Sequence, residues 1–215
     1  MAQGARKVAT LDDFLAIPEA DRFHELLGGQ IVERAAPSIG HGRSQARLTA
    51  RLVGPFERGA GRGGPGGWWL VTEVDVQLAA DLVVRPDLLG FRRDRHPECP
   101  HGYPVTEVPD WICEIVSPDR ARDDTVRKMR AYQRARVGHY WIVDCRDDTL
   151  TVHRLTDDGY LVALRAERGE RVRAEPFDAI EIAVGELFGD DPDFATSQPI
   201  SARLHPAEPP PRSLP

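Results

Sequence analysis

The chain has 215 residues, 41% hydrophobic and 29% charged, enough for one domain with a sizeable core and crowded for two. Its formal net charge of -6 argues against a tail-driven nucleic-acid binder whose affinity comes from many phosphate contacts, and leaves only a local basic surface open. No apolar run reaches the roughly 18 residues a bilayer crossing needs, and the first ten residues lack the apolar core of a signal peptide, so a soluble, cytoplasmic protein with no membrane contact is expected.

Along the chain, Thr10 with Asp13 forms a capping signal for a short helix through Leu11, Phe14 and Leu15 that Pro18 ends. Phe23 to Leu27 and Gln30 to Glu33 flank Gly28-Gly29 and predict a β-hairpin, because two glycines supply the positive φ of a tight turn. Ser38 caps a second helix, in which Leu48, Leu52 and Phe56 recur every fourth residue as a buried stripe and Pro55 disturbs the last turn. The glycine-rich stretch from Arg58 to Gly67 is a loop.

Four strands follow: Trp68 to Val71, Glu73 to Leu78, Leu82 to Val84, and Leu88 to Phe91 after Pro86-Asp87. Arg92 to Glu107, broken by three prolines, is a second loop, and Trp111 to Val116 a mostly apolar strand. Arg120 to Arg136 carries Val126, Met129, Tyr132 and Ala135 at helical spacing, with Gly138 as its stop. Strands then return at Tyr140 to Val143, Leu150 to His153, Tyr160 to Leu164 and Ala179 to Ala183, as a continuation of the sheet. The expected organisation is a flexible N-terminus (1–9), one domain (10–189) and a proline-rich, disordered tail (190–215).

Two carboxylates stand out. Asp87 opens a strand, and Glu114 lies among Trp111, Ile112, Ile115 and Val116, where an ionised carboxylate requires a compensating cation. Glu114 either pairs with an arginine on a polar face or, with Asp87 and the backbone carbonyl of Ile115, binds a hard divalent ion such as Mg²⁺ or Mn²⁺. Phosphodiester hydrolysis also needs a cation near the scissile phosphate. Val116, which shares the strand face of Glu114, cannot supply one, but Lys128 on the next helix can, with Asp124 and Tyr132 one turn to either side. Of the 28 basic residues only Lys7 and Lys128 are lysines; the alternative for Lys128 is a surface pair with Asp124.

The run Pro109 to Pro118, followed by Asp124, Lys128, Tyr132 and Val137 to Asp144, resembles the Uma2 family of restriction endonucleases. Arg85-Pro86-Asp87-Leu88, Glu25 to Val32 and His41 match it too, over roughly residues 10 to 190. The resemblance implies a restriction-endonuclease-like PD-(D/E)XK fold, a mixed α/β (α+β) architecture with a central mixed sheet flanked by helices, and metal-dependent cleavage of DNA by a homodimer. It implies Asp87 and Glu114 as metal ligands and Lys128 as catalytic base or charge stabiliser. Glu25 or Glu73 is a further acid near the metal, and His41 and Tyr132 are supporting or substrate contacts. Members commonly carry Ser-Thr where this chain has Asp119-Arg120, and a glycine and an acid at Arg136 and His139.

Seven cations against three acids between Asp119 and Arg136 make either a solvated helix face or a phosphate-binding face, with Arg120, Arg122, Arg127 and Arg130 as nucleic-acid contacts. His96, Cys99 and His101 lack a clear fourth zinc ligand, and the three cysteines show no disulfide pattern. Against the endonuclease stands a noncatalytic DNA-binding or protein-interaction module that retains the nuclease fold.

Overall fold

The computed structural model describes residues 8–59, 63–116 and 121–191, except for the side chains of 121–124. The expectations for the first residues, for Ser117 to Arg120, for the side chains of Arg122 and Asp124 and for the tail beyond 191 lie outside these residues.

Helix α1 (Leu11–Leu15) begins in the expected capping box: the Asp13 N–H donates to Thr10 Oγ1 and the Thr10 N–H to the Asp13 carboxylate. Strands β1 (His24–Leu27) and β2 (Ile31–Glu33) form the hairpin, with Gly28 and Gly29 at φ of 58° and 72°. Helix α2 (Ile39–Phe56) starts at Ser38, whose Oγ accepts the His41 N–H, and ends one residue after Pro55. Next come β3 (Trp68–Thr72), β4 (Val76–Ala79), β5 (Leu82–Val84), β6 (Leu88–Arg92), β7 (Trp111–Val116), α3 (Ala121–Arg134), β8 (His139–Asp144), β9 (Thr149–Thr156) and β10 (Gly159–Glu167). Strands β11 (Arg171–Val172) and β12 (Ile182–Ala183) and helix α4 (Val184–Leu187) complete the described chain.

The large sheet has the order β10-β9-β8-β7-β6-β3 and is mixed: β7 and β8, joined through α3, run parallel, and the other pairs are antiparallel. A smaller antiparallel sheet, β2-β1-β5-β4, covers part of it. Alternation along β7 decides which layer each side chain meets. Trp111, Cys113 and Ile115 join Leu48, Leu52 and Phe56 of α2 and the C-terminal Phe177, Ile182 and Leu187. Ile112 faces the other way, into a core with Tyr132 and Ala131 of α3 and Leu27, Val76 and Val84 of the small sheet. Burying each such side chain contributes about 1.5–3 kcal/mol. Trp111 and Trp141 meet edge to face at 5.4 Å, and with Trp68 they belong to the core, while Trp69 is only partly buried.

Three sequence expectations need correction. Glu73 to Leu78 is not one strand: Glu73 bends the chain at a left-handed φ of 56°, and β4 begins only at Val76, because the buried Asp75 carboxylate is engaged by Arg85 instead of sharing an alternating face. Ala179 to Ala183 does not extend the large sheet; only Ile182–Ala183 is extended, and it pairs with β11 in a two-stranded ribbon. Gly138 does not stop α3. Arg136 does so, at a left-handed φ of 64°, with the Val137 N–H bonded to the Tyr132 carbonyl and the Arg136 N–H to the Gln133 carbonyl, a Schellman closure. Among the described residues no helix is long and apolar enough to cross a membrane.

Candidate active site

Glu114 lies on the same face of β7 as Ile112 and points at α3, where Lys128 is the nearest cation. The Lys128 ammonium sits 3.2 Å from both Glu114 carboxylate oxygens and 3.0 Å from Glu25 Oε1. All three residues are buried. Glu25 reaches this point because alternation along β1 turns it with Leu27 toward α3, while Leu26 faces α1. One helical turn beyond Lys128, the Tyr132 hydroxyl donates to Glu114 Oε1 at 2.5 Å. Burial foremost, then Glu114 and Glu25, push the Tyr132 phenol well above its usual range, so it remains a donor.

Asp87 stands next to Glu114. The β6–β7 register pairs Leu88 with Cys113, and one further step sets Asp87 opposite Glu114, a separation of about 5 Å between Cβ atoms in a regular ladder. Beyond that last ladder pair the Ile115 N–H donates to Asp87 Oδ2 at 2.6 Å. The N–H and C=O of one strand residue point to the same side, so the Ile115 carbonyl is directed toward the same edge. Asp87 Oδ1 lies 3.2 Å from His41 Nε2, on the first turn of α2, and 3.7 Å from Arg34 Nη2. Glu73 completes this side: its carboxylate is 2.9 Å from Arg34 Nη1 and accepts from Gln45 Nε2 at 3.2 Å.

Four carboxylates, Glu25, Glu73, Asp87 and Glu114, therefore surround two permanent cations, Arg34 and Lys128. The imbalance is two negative charges when all four acids are ionised and His41 is neutral. Glu114 responds to it: burial first, and then the neighbouring Asp87 and Glu25, outweigh the opposing pull of Lys128 and Tyr132 and push its carboxyl up to about 8. For His41, burial alone would lower the pKa, but Asp87, followed by Glu73 and Glu114, outweighs it and raises the value.

The structure thus brings Glu25, His41, Glu73, Asp87, Glu114, Ile115, Lys128 and Tyr132 to one end of the sheet. Both acids the sequence left as alternatives are present, Glu25 beside Lys128 and Glu73 beside His41. Among the described residues, His41, Glu73 and Asp87 are the only group of three or more His, Cys, Asp or Glu side chains whose ligand atoms all lie within 4.8 Å of one another, so His96, Cys99 and His101 form no such group. Lys128 makes buried contacts with Glu25 and Glu114, and its expected pair with Asp124 falls outside the described side chains.

Sequence reasoning missed Arg34, Gln45 and the Asp75–Arg85 pair. Arg85 presses the site from behind: its N–H donates to Glu25 Oε1 at 2.8 Å while its guanidinium grips Asp75 at 2.6 and 2.7 Å. Tyr103 donates to the same Asp75 at 2.7 Å and is bonded in turn by Arg22. The only signal for Arg85 was its place two residues before Asp87; Arg34 follows a short strand and carries none.

Of the arginines proposed for nucleic acid, Arg127 and Arg130 are exposed on α3 and, with Arg134, line a cleft of about 240 Å³ against Gln30 and Leu82 of the small sheet. Arg127 Nη2 donates to Gln30 Oε1 at 3.1 Å, across that cleft.

Residues 11–185 match the model of the Uma2 family, described as "Putative restriction endonuclease". A crystal structure at 1.96 Å of a protein from Anabaena variabilis, described as a putative nuclease belonging to DUF820, superposes with a TM-score of 0.63 at 22% identity, covering 83% of this chain and 97% of that one. The shared architecture is the restriction-endonuclease-like fold. No curated protein matches the sequence.

Proposed function

From the premise that this chain belongs to the Uma2 family, we propose that it is a divalent-metal-dependent endonuclease that hydrolyses phosphodiester bonds of DNA. The observation that carries the reading is the position of the Lys128 ammonium, buried between Glu25 and Glu114 on the strand next to Asp87. An acid pair on adjacent strands with a lysine at its flank is the donor set that metal-assisted phosphodiester hydrolysis needs. The surplus of negative charge favours a divalent cation, with Asp87, Glu114 and the Ile115 carbonyl as its ligands and Mg²⁺ or Mn²⁺ as the ion. When bound, such an ion supplies a Lewis acid for the scissile phosphate and acidifies a coordinated water.

The chain's own residues do the positioning. Tyr132 and Lys128 donate to Glu114 and the Ile115 N–H donates to Asp87, so both carboxylates are held in fixed orientations. Lys128, an ammonium between two carboxylates, orients the attacking water and offsets charge developing on the phosphate; this arrangement supports a charge stabiliser rather than a base. Arg127, Arg130 and Arg134 hold the backbone of the nucleic acid along the cleft beside the small sheet. Two copies of the chain, one site each, cut the two strands; light scattering at working concentration should give the dimer mass.

The test is plasmid and single-stranded DNA incubated with purified protein in Mg²⁺ or Mn²⁺. Cleavage that is lost in Asp87→Asn, Glu114→Gln and Lys128→Ala is expected. Equal cleavage by wild type and these variants would sink the reading, and salt-sensitive binding without any cleavage would favour the noncatalytic module.

A further inference from the structure

The two oxygens of Asp87 look in different directions, and the side facing α2 is not used by the Asp87–Glu114 pair. There His41 Nε2 lies 3.2 Å from Asp87 Oδ1, an ion-pair contact when the ring is protonated, but it makes no hydrogen bond of regular geometry. His41 is 9% exposed, so this nitrogen is a buried polar atom without a hydrogen-bonding partner, which proteins seldom tolerate unless another group engages it. With the ring neutral, two lone-pair atoms at this distance have the separation of neighbouring ligands on one ion: metal–ligand bonds of about 2.1 Å at right angles set their ends about 3.0 Å apart. Glu73 supplies the third ligand atom, with no pair among the three beyond 4.8 Å, against about 4.2 Å for ligands on opposite sides of such an ion. Side-chain shifts of under about 1 Å therefore close the set.

We propose that His41, Glu73 and Asp87 form a second divalent-cation site, which shares Asp87 with the Asp87–Glu114 pair and is selective for a first-row transition ion over Mg²⁺. Selectivity follows from the imidazole: Mg²⁺ prefers oxygen ligands and keeps its waters, whereas transition ions take nitrogen readily. The surroundings suit an exchangeable cation. Arg34, 2.9 Å from Glu73 and 3.7 Å from Asp87, is the counter-cation when no ion is bound, and Gln45 steadies both acids by donating to Glu73 Oε1 and to the Asp87 carbonyl. Glu73 is exposed, which gives the ion a path from solvent. The site depends on the nuclease reading only in sharing Asp87.

Mn²⁺ serves as the probe. Titration of the full chain, with free ion read by electron paramagnetic resonance, is expected to give two bound ions. His41→Ala and Glu73→Gln each weaken one of them by about tenfold or more, while Glu114→Gln weakens the other. Because Glu73 is on the surface, its substitution leaves the fold intact. Pulsed spectra of bound Mn²⁺ are expected to carry the nitrogen modulation of a ligated imidazole in wild type and in Glu114→Gln, but not in His41→Ala. Absence of nitrogen modulation in wild type, or unchanged binding in both His41→Ala and Glu73→Gln, overturns the second site, and a Glu114-dependent ion that persists keeps the nuclease reading. Nitrogen-ligated Mn²⁺ without DNA cleavage has the opposite meaning: the second site stands and the nuclease reading falls.

Discussion

Lys128 on α3 and Glu114 on β7 are fourteen residues apart in sequence and meet with the ammonium 3.2 Å from both carboxylate oxygens. The helix thus delivers to the strand a cation that Val116, on the same strand face, cannot provide. Lys128→Ala should lower the cleavage rate by about 10²–10³, the range for removing one preorganised charge stabiliser, as measured in single-turnover assays. Lys128→Arg should not restore it, since a planar guanidinium cannot take the compact ammonium's place between two buried acids.

The raised carboxyl of Glu114 makes metal-free stability depend on pH. Its folded value of about 8 exceeds the ordinary 4.5, so the folded protein holds a proton that the unfolded chain has released. This stabilisation is complete below about pH 4.5 and is lost as pH rises through about 8. Urea unfolding in the presence of chelator should show stability falling across that window, and Glu114→Gln should flatten the fall. Metal binding, which needs the carboxylate, should strengthen over the same window and release a proton.

Asp75 is almost fully buried and receives Arg85 and Tyr103. Asp75→Ala leaves that guanidinium without its partner and should destabilise the fold by about 3 kcal/mol or more in denaturant melts. Cleavage should fall as well, because the Arg85 backbone positions Glu25 and leads directly into Asp87.

Arg130 and Arg134 line the cleft beside α3. Arg130→Glu and Arg134→Glu should weaken DNA binding uniformly across sequences, and each lost phosphate contact should reduce the slope of log affinity against log salt by about 0.9. Fluorescence anisotropy at several salt concentrations measures both.

Arg136 holds the left-handed position that closes α3, where the resemblance leads one to expect glycine. A side chain there costs about 1 kcal/mol, so Arg136→Gly should raise stability by up to that amount, read as a shift in urea midpoint at constant slope.

Much of this was legible in one dimension because it depends on local chemistry. The Thr10–Asp13 capping box, the Gly28-Gly29 turn and the four-residue stripe of α2 each need only neighbours in the chain, and each is present. The contrast of Glu114 with its apolar strand announced a buried charge in need of a cation. Local patterns misled where a distant partner intervened: Asp75 interrupted a strand-like alternation to meet Arg85, and Ile182–Ala183 found its partner in Arg171–Val172 instead of the large sheet.

By itself the sequence determined the elements, the stripes that bury them and the residue types that could carry phosphodiester chemistry, since periodicity and charge are properties of the chain. Only the tertiary structure decided that Glu25 and Glu73 both enter the site, on opposite sides, and that Arg34 and His41 face Asp87. Those contacts join β1, the segment after β2, α2, the bend after β3 and the start of β6, elements that the sheet order and not chain proximity brings together. Coulomb interactions and ligand geometry act across a few ångströms of space whatever the separation in sequence, so the sequence could propose Glu25, Glu73 and His41 but not their mutual arrangement, and gave no sign of Arg34.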